Sequence, residues 1–279
     1  MIEGRRSGTA ERVAMRRAAH QLYDRSLIFE DPLALTILSD EAAARVRSGA
    51  NEEHTPVAQG FRLYMATRSR FAENELALAV GRGVRQYVLL GAGLDTFAYR
   101  NPFPELTVFE VDHPATQAWK RERLQHGGIA IPESLHFAPV DFESDTLAHG
   151  LGAVGFCREK PAFFSWLGVV PYLTREAAFA TLTFIAQLPP GSGVVFDYAI
   201  LPEMMNEQER QAHDVLAQRV ARAGEPFRLF FDPEQLEVEL RKLGFREVED
   251  RSSIAIRAAG LGQDPPGHGK AGRLVSAWV

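Results

Sequence analysis

Residues 88–96 have the sequence Val-Leu-Leu-Gly-Ala-Gly-Leu-Asp-Thr. An apolar run that ends in two glycines spaced by one residue predicts a buried strand followed by a tight turn. Because neither Gly91 nor Gly93 carries a Cβ, the backbone of this turn can approach a ligand closely. Thr96 stands where a dinucleotide motif has its third glycine, which weakens the case for a dinucleotide site. A turn with a purely structural role is the alternative.

Acidic residues follow the next two apolar runs. Glu110 and Asp112 lie about twenty residues after the glycine turn, where an acidic side chain reaches a ribose in nucleotide-binding folds. Asp112, nearest the strand end, is the preferred ribose ligand, and capping of the helix that begins at Pro114 is the alternative. Asp141 ends the third run, where it can meet the exocyclic amine of an adenine with Phe142 beside the ring; a turn aspartate is the alternative. Together these strand ends predict a nucleoside site.

The hydrophobic pattern beyond residue 81 alternates between strands and helices, which predicts an α/β fold with a mostly parallel sheet. We expect one domain over residues 1–279, with a helical cap at 1–81, a core at 82–279 and a helical insertion at about 202–230. The predicted strands are 86–90, 107–111, 135–140, 161–167, 193–199, 246–252 and 273–279. The predicted helices are 9–24, 32–38, 40–46, 57–80, 114–124, 174–188, 202–223 and 233–243.

The amino-acid composition argues against several classes of protein. A content of 46% hydrophobic residues supports a large core, and the formal net charge of −5 argues against a nucleic-acid partner. One cysteine, Cys157, allows neither an internal disulfide nor a thiolate zinc site, and no metal is predicted. The apolar runs are too short to span a bilayer and the N-terminus lacks an apolar signal core, so no membrane partner and a cytoplasmic location are expected.

Four motifs resemble a known family. They lie at residues 67–71, 89–96, 109–114 and 165–173. Their order and spacing are similar to those of the leucine carboxyl methyltransferase and polyketide O-methyltransferase family, within the class I S-adenosylmethionine (SAM)-dependent methyltransferases. The resemblance covers about residues 26–252. It implies a Rossmann-like sheet of seven strands with an antiparallel last strand, helices on both faces and added helices over the active site.

The resemblance also implies roles for individual residues. Arg68 would pair with the methionine carboxylate of SAM, although a solvated helix face shared with Arg62 and Arg70 is its alternative. Gly91, in the turn completed by Ala92 and Gly93, would approach the methionine moiety. The ribose would lie at Asp112 and the adenine at Asp141 and Phe142, and His113 is also expected to bind the cofactor. Many members carry Glu-Gly where this chain has Leu167-Gly168, and a leucine accepts no hydrogen bond.

The methyl acceptor is expected to be a carboxylate or a hydroxyl of a small, polyketide-like molecule, in preference to a protein C-terminus. A carboxylate needs no general base, because it is ionised at neutral pH. A phenol or enol needs one, for which His20, His54 and His113 are the candidates. Tyr172 is the candidate for lining the acceptor site, with core packing as its alternative. The sequence predicts no particular oligomeric state.

Two other functions compete with methyl transfer. An NAD-dependent oxidoreductase would share the glycine turn, but the third glycine is missing. A SAM-binding protein without catalysis would bind the cofactor yet form no product. A serine hydrolase and a P-loop enzyme are disfavoured because the sequence lacks both the G-x-S-x-G and the GxxxxGK[ST] pattern.

Overall fold

A mixed β-sheet forms the centre of the protein in the computed structural model, which describes residues 8–50, 55–141, 145–222, 224–260 and 272–279. The strand order is β3-β2-β1-β4-β5-β8-β7, and the short β6 pairs with β5. All neighbours are parallel except β8, which is antiparallel to both β5 and β7. The strands are β1 Gln86–Leu90, β2 Thr107–Asp112, β3 Leu135–Pro139, β4 Phe163–Trp166, β5 Gly193–Ile200, β6 Phe230–Phe231, β7 Glu247–Ser252 and β8 Arg273–Trp278.

Helices cover both faces of this sheet. They are α1 Gly8–Tyr23, α2 Asp40–Arg47, α3 Pro56–Gly81, α4 Pro114–His126, α5 Leu147–Gly152, α6 Arg175–Ala186, α7 Glu207–Arg222, α8 Pro233–Leu243 and α9 Ser253–Gly260. The described residues form three hydrophobic cores: one between the sheet and α3, one between the sheet and α5, α6 and α8, and one that joins α1, residues 34–38 and α2. The predicted α/β class with a Rossmann-like, mostly parallel sheet and an antiparallel last strand is confirmed.

Residue alternation explains why β1 is buried on both faces. Val88 and Leu90 belong to one core, whereas Tyr87 and Leu89 belong to another. Such a strand has no solvated side, so it is apolar throughout, as expected for the centre of a parallel sheet. The chain order changes direction between β1 and β4, and ligands of open α/β sheets bind beside such a point, at the carboxyl ends of the strands.

Short polar side chains set the helix boundaries that the sequence predicts well. The hydroxyl oxygens of Ser39 and Thr174 accept hydrogen bonds from backbone N–H groups in the first turns of α2 and α6. Asp232 caps α8 in the same way, and Gly244 ends it at a φ of +119°.

Several predicted boundaries are wrong. Residues 32–38 form consecutive turns rather than a helix, and the Asp31 carboxylate accepts a hydrogen bond from the Leu33 N–H at their start. The predicted helix 202–223 is split into a 3₁₀ turn, Pro202–Met204, and α7. The short elements α5, α9 and β6 were missed, since few residues carry each pattern.

Candidate functional site

A cavity of about 570 Å³ opens at the carboxyl ends of the central strands, a size typical of small-molecule and cofactor sites. The strand-end turns form one wall, and α1 forms the opposite wall. The residues that line the cavity include Thr9, Ala10, Val13, Ala14, Arg17, Arg68, Gly91, Ala92, Gly93, Asp112, His113, Asp141, Leu167, Gly168, Val169, Tyr172, Leu173, Gly224, Glu225 and Arg228. The structure therefore brings the described residues of the predicted site together in one cavity.

The glycine turn forms the floor of this cavity. Gly91 has a φ of +67° and Gly93 a φ of +47°, a region that side chains rarely adopt. A Cβ on Gly91 would lie 2.4 Å from Cγ2 of Val169, and one on Gly93 would lie 3.1 Å from Cβ of Ala10. The turn therefore requires glycine at both positions for two reasons, its backbone conformation and the close approach of its neighbours.

Asp112 ties this turn to the end of β2. Its Oδ2 accepts a hydrogen bond of 2.6 Å from the Gly93 N–H, and its Oδ1 accepts one of 2.7 Å from the His113 N–H. Burial raises the pKa of Asp112 above its ordinary value, although these two hydrogen bonds act in the opposite direction. Each carboxylate oxygen has a second acceptor site, so Asp112 keeps the capacity to bind a diol.

The helix-capping alternative for Asp112 is wrong. Residue His113 is the N-cap of α4, where its Nδ1 accepts a hydrogen bond from the Ala115 N–H. His113 also lines the cavity, with its Nε2 3.9 Å from Oδ2 of Asp141. Asp141 lies in the cavity wall as well, whereas Phe142 lies outside the described residues.

Arg68 projects from α3 into the cavity wall. It is only 5% exposed, and its Nη1 donates a 2.8 Å hydrogen bond to Oδ2 of Asp197. The Tyr64 hydroxyl donates to the same oxygen, while the other Asp197 oxygen accepts from the Gly168 N–H. The solvated-face alternative is wrong, because Arg62 is also buried, at 2% exposure. A single carboxylate thus fixes the guanidinium beside the turn after β4.

The turn after β4 is apolar where many family members have a glutamate. Leu167 lines the cavity and packs against the core on the α3 side of the sheet. The next residue, Gly168, has a φ of +71°, and a Cβ there would come within 3.0 Å of the Arg68 guanidinium. Gly168 therefore allows Arg68 to approach the strand end, and Leu167 offers this part of the cavity no acceptor.

Tyr172 lies in the cavity wall, close to the segment 224–228. Its ring centroid is 5.3 Å from that of Phe227. Burial raises the pKa of Tyr172 to about 12, so its phenol is protonated at neutral pH and can donate a hydrogen bond. Tyr172 thus lines the cavity and also packs against Phe227.

Of the three histidine candidates for a general base, only His113 reaches the cavity within the described residues. His20 is fully buried elsewhere, where its Nδ1 lies 2.8 Å from Asp24 and its Nε2 accepts a hydrogen bond from the Ile28 N–H. His54 lies outside the described residues. His113 lies next to Asp112, and its Nδ1 is occupied by the N-cap hydrogen bond of α4.

Several functional candidates could not be predicted from the sequence pattern. Helix α1 supplies five lining residues, and the Thr9 hydroxyl forms a hydrogen bond with Glu225. Asp197, the partner of Arg68, lies on β5. The Arg17 guanidinium holds α1 down by donating to the Leu94 carbonyl and pairing with Asp31 at 2.7 Å. These contacts join segments far apart in the chain, so no local motif indicates them.

Below the cavity, Glu110 forms a buried ion pair instead of lining the site. Lys120 Nζ lies 2.7 Å from its Oε2, and both side chains are at most 2% exposed. Burial raises the pKa of Glu110 to about 7, while Lys120 opposes this shift. Although Glu110 and Asp112 share strand parity, the Glu110 carboxylate is buried in the protein interior and does not line the cavity.

Glu110 predicts a pH dependence of stability. Its pKa in the folded chain exceeds the ordinary value of 4.5, so the folded state binds more protons and stability falls as pH rises from about 4.5 to 7. Between about pH 5 and pH 8 we expect the wild type to lose roughly 2–3 kcal/mol, about 5–10 °C in unfolding temperature, relative to Glu110→Gln. Thermal unfolding across this range measures the difference, and identical pH profiles would contradict the assignment.

Comparisons with known proteins agree with this geometry. The family model for leucine carboxyl methyltransferases matches residues 10–186. A Bacillus subtilis (strain 168) relative, named "Putative S-adenosyl-L-methionine-dependent methyltransferase YktD", is 35% identical in an alignment that covers 86% of this chain and 86% of its own length. A relative from Mycobacteroides abscessus, named "Putative S-adenosyl-L-methionine-dependent methyltransferase", is 33% identical over 74% of this chain and 68% of its own length.

Solved structures show the same fold. The crystal structure of a protein from Thermobifida fusca YX that is described as a methyltransferase aligns with a TM-score of 0.57 at 17% identity. The alignment covers 95% of this chain and 93% of that one. A DUF574 family protein from Streptomyces avermitilis MA-4680 aligns with a TM-score of 0.56 at 15% identity, over 96% of both chains. At such identities these alignments establish the fold alone.

A Rossmann-like sheet with a ligand cavity at its carboxyl edge, together with these relatives, defines a SAM-dependent methyltransferase. More specifically, the chain belongs to the leucine carboxyl methyltransferase family. Its cofactor is SAM. The cavity suits this molecule, because it offers a bend free of side chains, a buried carboxylate with remaining acceptor sites and a buried guanidinium.

The described residues contain neither a candidate metal site nor a helix suited to span a membrane. Among them, no group of three or more His, Cys, Asp or Glu side chains is placed to hold a metal ion. No helix in the same part of the chain is both long and apolar enough to cross a bilayer.

Proposed function

We propose that this methyltransferase methylates an oxygen atom, a carboxylate or a hydroxyl, of a small molecule. The observation that carries the proposal is the cavity of about 570 Å³, whose lining includes Tyr172, Glu225 and Arg228 in addition to the strand-end turns. Because α1 covers the glycine turn, with Ala10 close to Gly93, the space suits a compact acceptor more than an extended protein segment.

In this proposal the strand ends bind the cofactor. Arg68 pairs with the methionine carboxylate, and the turn formed by Gly91, Ala92 and Gly93 passes under the methionine moiety. The Asp112 carboxylate accepts hydrogen bonds from the two ribose hydroxyls, with His113 beside it. Asp141 accepts from the adenine amine, and Phe142 completes that end. The family resemblance implies these roles, and the donor and acceptor chemistry of each group supports them.

At the other end, the chain positions the acceptor. When bound, SAM supplies a methyl group on a sulfonium, and the protein has to align the acceptor oxygen with it and exclude water. Positioning of this kind lowers a barrier by roughly 7–11 kcal/mol in favourable cases. Tyr172 donates a hydrogen bond from its phenol, and Val13 and Leu173 supply apolar surface.

A carboxylate acceptor is favoured over a hydroxyl. The Arg228 side chain lines the cavity and has no hydrogen-bond or ion-pair partner among the described residues. An arginine binds a carboxylate with two parallel hydrogen bonds. A carboxylate also needs no base. A hydroxyl acceptor would instead require a base in the cavity to take its proton.

The relatives and the site do not favour the two competing functions. An NAD-dependent oxidoreductase would need the pyrophosphate turn that Thr96 interrupts; Thr96 is fully buried and donates to Asp31. A protein that binds SAM without catalysis would not need a second, polar end of the cavity lined by Arg228 and Tyr172.

Alkali treatment of radiolabelled products tests the proposed acceptor class. The full chain is incubated with methyl-tritiated SAM and parallel panels of small carboxylic acids and phenols. We expect transfer to carboxylates. Methyl esters release volatile methanol in alkali and methyl ethers do not, so volatile radioactivity after alkali treatment identifies methylated carboxylates. In the same assay we expect Tyr172→Phe to raise the acceptor KM several-fold with unchanged affinity for SAM. Methylation of nitrogen, or binding of SAM with no S-adenosylhomocysteine formed from any acceptor, would overturn the proposal.

A further inference from the structure

A second cleft lies between α1 and α7, outside the proposed methyl-transfer site. Its volume is about 300 Å³, at the lower end of the range for small-molecule sites. We call it the arginine cleft; its lining residues are Arg12, Val215, Gln218, Arg219 and Arg222. Three guanidinium groups thus meet around one concave surface with no carboxylate in its lining, on a chain whose formal net charge is −5.

Within the described part of the chain, the arginines of the cleft are not engaged by carboxylates. Some exposed arginines elsewhere are paired, as in Arg85–Glu105 and Arg241–Glu237, whereas others, such as Arg228, have no such partner in the same ranges. The side chains of Arg12, Arg219 and Arg222 have no hydrogen-bond or ion-pair partner among the described residues, and what distinguishes them is that all three line one cleft. Neighbouring like charges on helices cost stability, so the arrangement is unfavourable unless an anion offsets it.

Helix electrostatics explain only part of the arrangement. Arg219 and Arg222 lie in the last turn of α7, where cations interact favourably with the helix dipole. Arg12 lies on a different helix, α1, so this effect does not account for its position. The exposed Val215 and the amide of Gln218 add an apolar wall and a neutral donor, a mixture typical of ligand sites.

We propose that the arginine cleft binds the phosphate group of a small phosphorylated molecule that carries at least two negative charges. Arginine binds phosphate oxygens in bidentate fashion and stays charged at every physiological pH, so three such groups favour phosphate over a single carboxylate. Neighbours in sequence line the main cavity: Val13 follows Arg12, and Gly224 lies two residues beyond Arg222. The proposal concerns a different site from the methyl transfer and stands without it.

Calorimetric titration of the full chain with inorganic pyrophosphate tests this site. We expect saturable binding at one site per chain. The double variant Arg219→Ala/Arg222→Ala should bind at least tenfold more weakly, and alanine suits a helix, so α7 should persist. Arg241→Ala/Arg251→Ala removes the same charge from two other exposed arginines, and we expect it to bind within twofold of the wild type.

Two outcomes would overturn the proposal. One is the absence of saturable pyrophosphate binding to the wild type at moderate salt. The other is an equal loss of affinity in both double variants, which would mean that pyrophosphate responds to net charge alone. Neither outcome depends on the identity of the methyl acceptor, and binding of S-adenosylhomocysteine to the same samples reports separately on the main cavity.

Discussion

Replacement of Asp112 by alanine is expected to weaken SAM binding by roughly ten- to a hundredfold. The carboxylate has acceptor sites left after its hydrogen bonds to the Gly93 and His113 N–H groups, and we propose that the ribose diol uses them. A hydrogen bond to a charged group contributes about 1.5–3 kcal/mol, and about 1.4 kcal/mol corresponds to tenfold in affinity. Calorimetry with wild type and variant measures the loss.

A ligand lacking the hydroxyls separates ribose binding from a structural role of Asp112. If Asp112 binds the diol, the wild type should bind an analogue of S-adenosylhomocysteine without the 2′- and 3′-hydroxyls more weakly than S-adenosylhomocysteine itself. The Asp112→Ala variant should bind the two ligands with similar affinity. Because Asp112 also fixes the glycine turn, thermal unfolding of the variant serves as the folding control. Equal discrimination between the two ligands by wild type and variant would remove the ribose assignment.

Replacement of Arg68 by methionine is expected to weaken SAM binding by roughly a hundredfold or more. Loss of one partner of a buried, hydrogen-bonded charge pair costs about 2–5 kcal/mol. Arg68 is buried and held by Asp197, so little entropy is lost when it meets a carboxylate. An analogue of SAM that lacks the amino-acid carboxylate should bind wild type and Arg68→Met with similar, weak affinity.

Arg70→Met is the matched control for Arg68. Arg70 lies two residues further along α3, and its Nε donates a 2.8 Å hydrogen bond to the Ile28 carbonyl, outside the cavity lining. We expect Arg70→Met to lower stability and leave the affinity for SAM within a few-fold of wild type. A similar loss of affinity in both variants would mean that Arg68 acts through the packing of α3 rather than through the cofactor.

The sequence predicts the strand-end half of the site because its signals are local. The glycines at 91 and 93 and the acid at 112 follow apolar strands, and parallel strands bring their carboxyl ends to one edge. In the same way, the caps Ser39, Thr174 and Asp232 give helix boundaries directly. Local patterns suffice wherever the structural neighbour is near in sequence or fixed by the sheet.

The remaining part of the site depends on contacts between distant segments. Arg68 and Asp197 are 129 residues apart, and Thr9 and Glu225 are 216 residues apart. Burial of Arg68 and Arg62 could not be distinguished from a solvated helix face, since each needs a carboxylate supplied by tertiary packing. The role of α1 as a wall of the cavity has no signal in its own amphipathic pattern.

A crystal structure of the full chain with S-adenosylhomocysteine tests the central claim most directly. We expect the ribose hydroxyls within hydrogen-bond distance of Asp112, about 2.6–3.2 Å, the adenine beside Asp141 and the amino-acid carboxylate at Arg68. Density for the nucleoside away from the carboxyl ends of β1 and β2, with Asp112 bound only to the backbone of Gly93 and His113, would contradict the account.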